Sequence, residues 1–205
     1  MSTSKQAVTA RRGRPGYDQQ TVLQIAVDVF NRHGYEATSM GILAENLGIS
    51  KSAIYHHVPS KEDLLRLALD EALGGLEGVW ADGRSKDGSA VQRLSFVIKA
   101  ILRVLATRLP YVTLLLRLRG NTDMEQAALA RRRDFDHRLA DLVRMAQAEG
   151  SVRGDIDPRL ISRLVFGTIN SIVEWYKPGG TLSVDELITN VYQIIARGMY
   201  SDGDD

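Results

Sequence analysis

The chain has 205 residues, of which 44% are hydrophobic and 25% charged, a composition typical of a soluble globular protein with one or two small domains. It contains no cysteine, which excludes disulfides, thiolate catalysis and cysteine-ligated zinc. It has no apolar run long enough to cross a bilayer, and its N-terminus lacks the apolar core of a signal peptide. We therefore expect a cytoplasmic protein with no membrane partner.

The net charge is only +1, but positive charge is concentrated at the N-terminal end. Residues 1–61 contain seven Lys and Arg against four Asp and Glu, whereas the remainder contains 19 against 21. A basic end on a nearly neutral body is typical of a nucleic-acid-binding head. Residues 1–16 are polar and predict a flexible basic arm that carries Arg11, Arg12 and Arg14. These arginines suit insertion into a narrow minor groove of DNA. The alternative interpretation is that the arm is a solvated flexible tail with no DNA contact.

The segment that follows has the pattern of a helix-turn-helix. Apolar residues at i, i+3, i+4 and i+7 predict a short amphipathic helix from Met40 to Leu47. Gly48 suits the left-handed conformation that ends such a helix. Ser50 suits the cap of a second helix, predicted over 51–57. After Pro59, a further cap at Ser60 predicts a long helix over 61–80.

These residues resemble the DNA-binding head of the TetR family of bacterial regulators. A first helix is predicted over 21–33, and the resemblance is detailed over about residues 18–70. Leu43 and Val58 stand where the family usually has isoleucine and phenylalanine, and both keep an apolar side chain. The matching motifs occur at the family's spacings: Phe30-Asn-Arg-His-Gly-Tyr35, Gly48-Ile-Ser50, Ile54-Tyr55 and Ser60-Lys61-Glu62.

The resemblance implies which residues contact double-stranded DNA, because the second helix of a helix-turn-helix supplies the base contacts. A core position in the small head is the alternative for Tyr55. The adjacent pair His56-His57 predicts no metal site, since neighbouring helical side chains point about 100° apart. The predicted DNA-binding residues, besides the arginines of the arm, are Ser39, Ser50, Lys51, Ser52, Ala53, Tyr55, His56 and Lys61.

The body continues with helical patterns, so we predict an all-α protein of about nine helices. Capping-box sequences predict helices that follow Ser89, Thr122 and Ser183, and Asp157-Pro158 predicts another. The helix after Ser89 is apolar on nearly all sides, so it should lie at the centre. A short helix is predicted over 111–119. The predicted divisions are an arm over 1–16, a DNA-binding domain over 17–62 and a ligand-binding and dimerisation domain over 63–205.

One recognition helix reads few bases, so a homodimer on a near-palindromic operator is expected. Broad apolar stripes on the last two helices suit a four-helix bundle between two chains, although one chain alone is the alternative. The family resemblance favours the dimer. The predicted interface residues are Ile161, Val165, Ile169, Ile172, Tyr176, Leu187, Val191, Ile194 and Ile195.

The body has no pattern typical of an enzyme, and no cofactor is expected. The run FGTINSIVEWYKPGG resembles the TetR branch that controls fatty-acid, phenylacetate or sterol-ring breakdown, whose members commonly respond to acyl-CoA thioesters. Such a ligand needs an apolar slot and cations for its phosphates. The predicted ligand-binding residues are Phe96, Ile101, Leu114, Arg117, Leu118, Arg119, Arg131, Phe135, Asn170 and Trp175.

Several alternatives remain open for the body. A solvated face paired with Glu125 and Asp134 is the alternative for Arg131 to Arg133, and Trp175 also suits the dimer seam. A hydrophobic drug-like effector would need fewer arginines. A more distant alternative is a helical enzyme or binding protein whose helix-turn-helix is purely structural.

Overall fold

The computed structural model describes residues 18–200, and this part of the chain contains nine α-helices and two short 3-10 turns. Its one strand-type pairing is an isolated bridge between Val152 and Tyr200. The prediction of an all-α fold is confirmed. The helices are α1 (Gln19–His33), α2 (Met40–Leu47), α3 (Lys51–Tyr55), α4 (Lys61–Ala81), α5 (Ala90–Thr107), α6 (Leu109–Leu116), α7 (Asp123–Ala148), α8 (Pro158–Ser171) and α9 (Val184–Met199).

Helices α1 to α3 form a small head around an apolar core. Phe30, Leu43, Leu47 and Ile54 are among its fully buried side chains. The turn between α2 and α3 forms as its sequence predicts, because Gly48 adopts the left-handed conformation with φ 65° and ψ 31°. The three helices share this core, and α2 packs against both α1 and α3, so α2 holds α3 in position.

Helix α4 connects the head to the body. Ser60 caps it through a hydrogen bond that its hydroxyl accepts from the Asp63 backbone amide at 3.0 Å. With 21 residues it is about 31 Å long, and it packs against α1, α5, α6 and α7. Movement of α4 therefore changes the position of the head relative to the body.

Helix α5 lies at the centre of the body, as predicted. Leu94, Ile98 and Leu102 on it are fully buried, and it packs against α4, α7 and α9. The capping box of Ser89 and Gln92 forms in both directions. Helices α7 and α8 pack extensively on each other, and α6 packs between the head and α4.

The start of α7 differs from the prediction. Thr122 caps the helix, but the carboxylate of Glu125 does not return to the Thr122 amide as a capping box requires. It instead accepts hydrogen bonds from the backbone amides of Gly120 at 2.9 Å and Asn121 at 3.0 Å. Gly120 has a φ of 82°, which turns the preceding loop back over the buried Glu125 side chain.

Two further helix boundaries differ from the prediction. The short helix of the body covers Leu109–Leu116 and not 111–119, because Pro110 is accommodated in its first turn. Helix α8 ends at Ser171 and continues as a 3-10 turn over Ile172–Glu174. The predicted apolar stripe from Ile161 to Tyr176 is therefore divided between two helical forms.

Candidate functional site

Helix α3 presents a polar surface that the core of the head does not use. Ile54 anchors the helix because it is completely buried. Lys51, Ser52, Tyr55 and His56 are exposed, and the Tyr55 side chain is 51% accessible. A core role for Tyr55 is therefore wrong. The arrangement provides an ammonium group, a hydroxyl, a phenol and an imidazole on one side of a short helix.

Hydroxyl groups of the head hold the ends of its helices. Ser39 Oγ accepts from the Ile42 amide at 3.3 Å, and Ser50 Oγ accepts from the Ala53 amide at 3.2 Å. Ser50 and Ser52 also share a hydrogen bond of 2.9 Å between their hydroxyls. Ala53 is half-buried. These contacts orient α2 and α3, and the predicted contacts of the same residues with DNA stay predictions.

Lys61 is bound within the head. Its Nζ donates to the Tyr35 carbonyl at 3.1 Å and lies 4.2 Å from the centre of the Tyr35 ring. That ring packs edge-on against Phe30 with centroids 5.2 Å apart, and burial raises the pKa of Tyr35 to about 12. Lys61 thus joins the first turn of α4 to the segment between α1 and α2, a role that the sequence pattern did not predict.

The basic arm lies outside the described residues, and so do Arg11, Arg12 and Arg14. Residues 18–61 by themselves contain three Lys and Arg against four Asp and Glu. The positive character of the N-terminal end therefore comes from residues 1–17, and α3 supplies a single Lys51 to the described surface.

An apolar cavity lies inside the body between α4, α5, α6, α7 and α8. It is narrow, with a free volume of about 30 Å³, which is room for little more than one water molecule. Three predicted ligand-binding residues line it, namely Ile101, Phe135 and Asn170. Most other lining residues are apolar, and the cavity therefore suits an apolar group. They are Leu76, Val104, Leu105, Val112, Leu115, Leu116, Phe166 and Ile169.

Two polar side chains reach this cavity, Arg132 and Asn170. Within the described part of the chain neither side chain makes a hydrogen bond, and Arg132 makes no salt bridge. Burial raises the pKa of Asp136, one turn along α7, and the charge of Arg132 opposes that rise. The sequence does not distinguish Arg131, Arg132 and Arg133 from one another. In the structure, Arg132 is the one of the three that lines the cavity.

The other predicted ligand residues lie elsewhere. Arg131 forms salt bridges with Asp70 at 2.9 Å and Glu77 at 2.7 Å, so it joins α7 to α4 and is not paired with Glu125 or Asp134. Trp175 lies on the outer surface and is 52% exposed. Phe96 lines a separate groove on another side of the body. The remaining four line a cleft between head and body: Leu114, Arg117, Leu118 and Arg119.

That cleft contains a hydrogen-bonded joint between head and body. Asn31 of α1 donates through Nδ2 to the Pro110 carbonyl at 2.8 Å, and Arg117 Nη1 donates to the Asn31 carbonyl at 2.5 Å. Both ends of α6 are thereby tied to one residue of the head. Asn31 Oδ1 is buried and has no hydrogen-bond partner in the described structure. Arg117, predicted to bind ligand, is therefore placed at this joint.

The predicted dimer stripe is buried inside a single protomer. Eight of the nine predicted residues are at most 9% exposed, and they pack against α5, α7 and each other. The exception is Ile194, which is 71% exposed. Burial within one protomer favours the alternative that a single chain fills this side of α8 and α9, and the interface role of these residues stays a prediction: Ile161, Val165, Ile169, Ile172, Tyr176, Leu187, Val191 and Ile195.

Other apolar side chains of α8 and α9, together with Trp175 directly after the 3-10 turn, are exposed outside this core. Leu160, Leu164, Trp175 and Ile194 are between 49% and 71% exposed. Gly167 lies among them on α8, and a Cβ added there would meet no atom within 4 Å. Sequence periodicity alone could not tell the two sides of these helices apart, because both carry apolar residues.

Other kinds of site find no support in the described residues. Within 18–200, no group of three or more His, Asp or Glu is placed to hold a metal ion. No helix in the same range is long and apolar enough to span a membrane.

Comparison with known proteins matches both parts of the chain. Residues 22–68 match the family model described as bacterial regulatory proteins, tetR family. Residues 87–199 match the model of a tetracyclin repressor-like C-terminal domain. The HTH-type transcriptional repressor KstR2 of Mycolicibacterium smegmatis is 28% identical over 195 residues, covering 93% of this chain and 95% of the relative.

Solved structures give the same result. A TetR-family member from Streptomyces coelicolor A3 is 50% identical, with a TM-score of 0.82 over 87% of this chain and 90% of that one. AibR in complex with isovaleryl coenzyme A and operator DNA has a TM-score of 0.71 at 23% identity, covering 86% of this chain and 96% of AibR. The second likeness concerns the fold alone.

Proposed function

Because this chain belongs to the TetR family of transcriptional repressors, we propose that it works as a homodimer, released from a near-palindromic operator by an acyl-CoA thioester. The observation that carries the DNA-binding part is the exposed surface of α3. Lys51, Ser52, Tyr55 and His56 are held outward by the buried Ile54 and are not used by the core. A helix of this kind fits the major groove.

Base and phosphate contacts are divided between neighbouring residues. Ser52 and His56 offer hydrogen-bonding groups to base edges, and the Ala53 methyl suits a thymine methyl. Lys51 and Tyr55 suit phosphate oxygens, as do the hydroxyls of Ser39 and Ser50. Lys61 has donors left after its bond to Tyr35, so it remains a candidate phosphate contact. The arginines of the arm are further candidates for the minor groove.

The dimer is proposed to form through the exposed surface of α8 and α9. Leu160, Leu164, Trp175 and Ile194 supply apolar area, and the absence of a side chain at Gly167 lets a partner helix approach closely. Stable protein interfaces bury about 1,200–2,000 Å² in total, and large exposed apolar patches on soluble proteins mark such interfaces. This surface differs from the predicted one, although the same two helices carry it.

The effector is proposed to place its acyl group in the inner cavity. The apolar lining removes the acyl chain from water, and the side chains of Arg132 and Asn170 are available to the thioester carbonyl. Because the free space is narrow, any ligand larger than a water molecule has to displace the side chains around it. Those side chains include Val112, Leu115 and Leu116 of α6.

Displacement of α6 would reach the head through the joint at Asn31. Pro110 and Arg117 hold the two ends of α6 to this residue. A buried acceptor without a hydrogen-bond partner destabilises a structure by about 1–3 kcal/mol. The unpaired Oδ1 of Asn31 therefore lowers the free-energy difference between this joint and an alternative arrangement in which the oxygen is paired. Effector and operator would then oppose each other's binding, by the reciprocity that governs linked sites.

The test is fluorescence anisotropy of labelled DNA from the region upstream of the gene for this chain. The protein–DNA complex is titrated with phenylacetyl-CoA, palmitoyl-CoA and the two free acids. Release by a thioester but not by its acid supports the proposal. Release by the free acids or by a neutral hydrophobe favours a sensor of drug-like compounds. Tight DNA binding without release by any compound contradicts the acyl-CoA assignment. Absence of DNA binding, even at low salt, contradicts the proposal that the protein binds an operator in this region.

Matched variants test the DNA surface in the same assay. Lys51→Ala should weaken binding and reduce the slope of log affinity against log salt by about 1, because one phosphate contact is lost. Lys86→Ala removes an equally exposed lysine from the body and should change neither quantity. Tyr55→Ala should leave the fold intact, since the ring is exposed, and weaken operator binding.

A further inference from the structure

A long open groove runs along one side of the body between α4, α5 and α9. It has a free volume of about 910 Å³, against about 30 Å³ in the inner cavity. Gly74, Gly75 and Gly78 of α4 form its floor. Phe96 on α5 and Tyr192 on α9 provide aromatic walls. Its size and openness suit an extended polar ligand more than a compact apolar one.

Cations outnumber carboxylates along this groove. Arg84, Lys99, Arg103 and Arg108 line it together with two aspartates, which gives the lining a net charge of +2. Lys99 has no carboxylate within salt-bridge distance in the described part of the chain, and its Nζ lies 4.1 Å from the centre of the Tyr192 ring. An unpaired ammonium beside an aromatic ring is a ready partner for a phosphate.

Arg103 of the groove is also available to a ligand, although it is paired. Arg103 Nη2 lies 2.6 Å from an oxygen of Asp185, but the two side chains are 57% and 80% exposed. Exposed pairs of this kind contribute little to stability. A phosphate carries more charge and accepts both arms of a guanidinium, so it can replace the aspartate.

The groove adjoins the inner cavity at a single side chain. Val104 lines both spaces. It packs directly on α4 at Gly75, where an added Cβ would lie 2.8 Å from Val104 Cγ1. This contact separates the two spaces, so a ligand that occupies both has to displace the Val104 side chain. Such a ligand would have one end among apolar side chains and the other among cations.

We propose that this groove binds the phosphate-bearing nucleotide of the thioester whose acyl group occupies the inner cavity. The inference rests on the proposed function and adds a site to it. Lys99 and Arg103 pair with the phosphates. The Arg84 guanidinium, which lies 4.4 Å from the centre of the Phe96 ring, offers a planar surface to the base. The arginines of the cleft between head and body have no part in this site.

The glycines of the floor support the assignment. Glycine is the least favourable residue in a helix interior apart from proline. At Gly74 and Gly78 an added Cβ would meet no atom within 4 Å, so neither packing nor backbone conformation within the protomer requires glycine there. Their effect is to keep the floor of the groove clear.

The test measures direct binding to the full-length protein without DNA by isothermal titration calorimetry, with phenylacetyl-CoA, palmitoyl-CoA and coenzyme A as probes. Lys99→Gln and Arg103→Gln should each weaken thioester binding by about ten- to a hundredfold, the usual effect of losing a charge-assisted hydrogen bond. Arg119→Gln neutralises an exposed arginine of the cleft and should leave binding unchanged.

A filling variant tests the same site by shape. Gly78→Leu has open space for its side chain and gains helix propensity, so it should fold and dimerise normally while losing thioester affinity. Thioester binding that is undiminished in Gly78→Leu and in both neutralised variants overturns the groove assignment alone. Failure of the unaltered protein to bind any of the three probes overturns the groove and the acyl-CoA proposal together.

Discussion

Replacement of Glu125 by alanine should destabilise the protein more than loss of an ordinary helix cap. The side chain is 4% exposed, and its carboxylate accepts two backbone hydrogen bonds, at 2.9 Å from Gly120 and 3.0 Å from Asn121. Hydrogen bonds to charged groups contribute about 1.5–3 kcal/mol each, and alanine leaves both amides unpaired. We expect a loss of about 3–5 kcal/mol in the free energy of unfolding, since the two bonds share one acceptor and are not fully additive.

Thermal unfolding followed by circular dichroism measures this loss. For a chain of this size, 1 kcal/mol corresponds to about 2–4 °C, so Tm should fall by about 6–20 °C. Glu186→Ala is the matched control, because Glu186 also stands three residues after a helix cap but is exposed and bonds the Ser183 amide in a regular capping box. A fall for Glu125→Ala no larger than that for Glu186→Ala would refute the reasoning.

Three further changes test other parts of the structure. Gly48→Ala places a Cβ at φ 65° and should cost about 1–2 kcal/mol, measured by urea unfolding, and an unchanged midpoint would contradict the strained turn. Leu164→Arg with Ile194→Arg should convert the dimer to a monomer in light scattering, whereas a persistent dimer would place the interface elsewhere. Burial raises the pKa of Asp136 above 3.8, so stability should fall as pH rises from 3.8 through the raised value. Asp136→Asn should remove that decline in the free energy of unfolding, measured by urea unfolding at each pH. The same pH dependence in the variant and the unaltered protein would contradict this role of Asp136.

The sequence predicted the head well because its signals are local. Caps at Ser50 and Ser60 and the left-handed Gly48 act within a few residues, and the structure reproduces each of them. Thr122 and Glu125 show the limit of such signals. The spacing allows a capping box, but the positive φ of Gly120 brings two other amides to the carboxylate first.

Long-range pairing was beyond the sequence. Arg131 and Arg132 are neighbours in the chain, yet one faces the carboxylates of α4 and the other reaches the cavity. Their roles depend on how α7 is rotated against α4, which no local pattern encodes. Of the outward surface, the sequence pattern indicated Ile194 and Trp175 but not Leu160 and Leu164, because the inward stripe of α8 is apolar and more regular.

The length of α4 determines how far the head moves when this helix tilts. The helix is about 31 Å long and has Lys61 bound to the head in its first turn. A tilt of about 5° at the body end would displace the head by about 3 Å, close to the roughly 3.4 Å rise of one base pair. In a two-fold assembly each head would move by that amount, so the two recognition helices would lose register with their half-sites. Under the proposed function, a rearrangement of side chains around the narrow cavity that tilts α4 by this angle would release the operator.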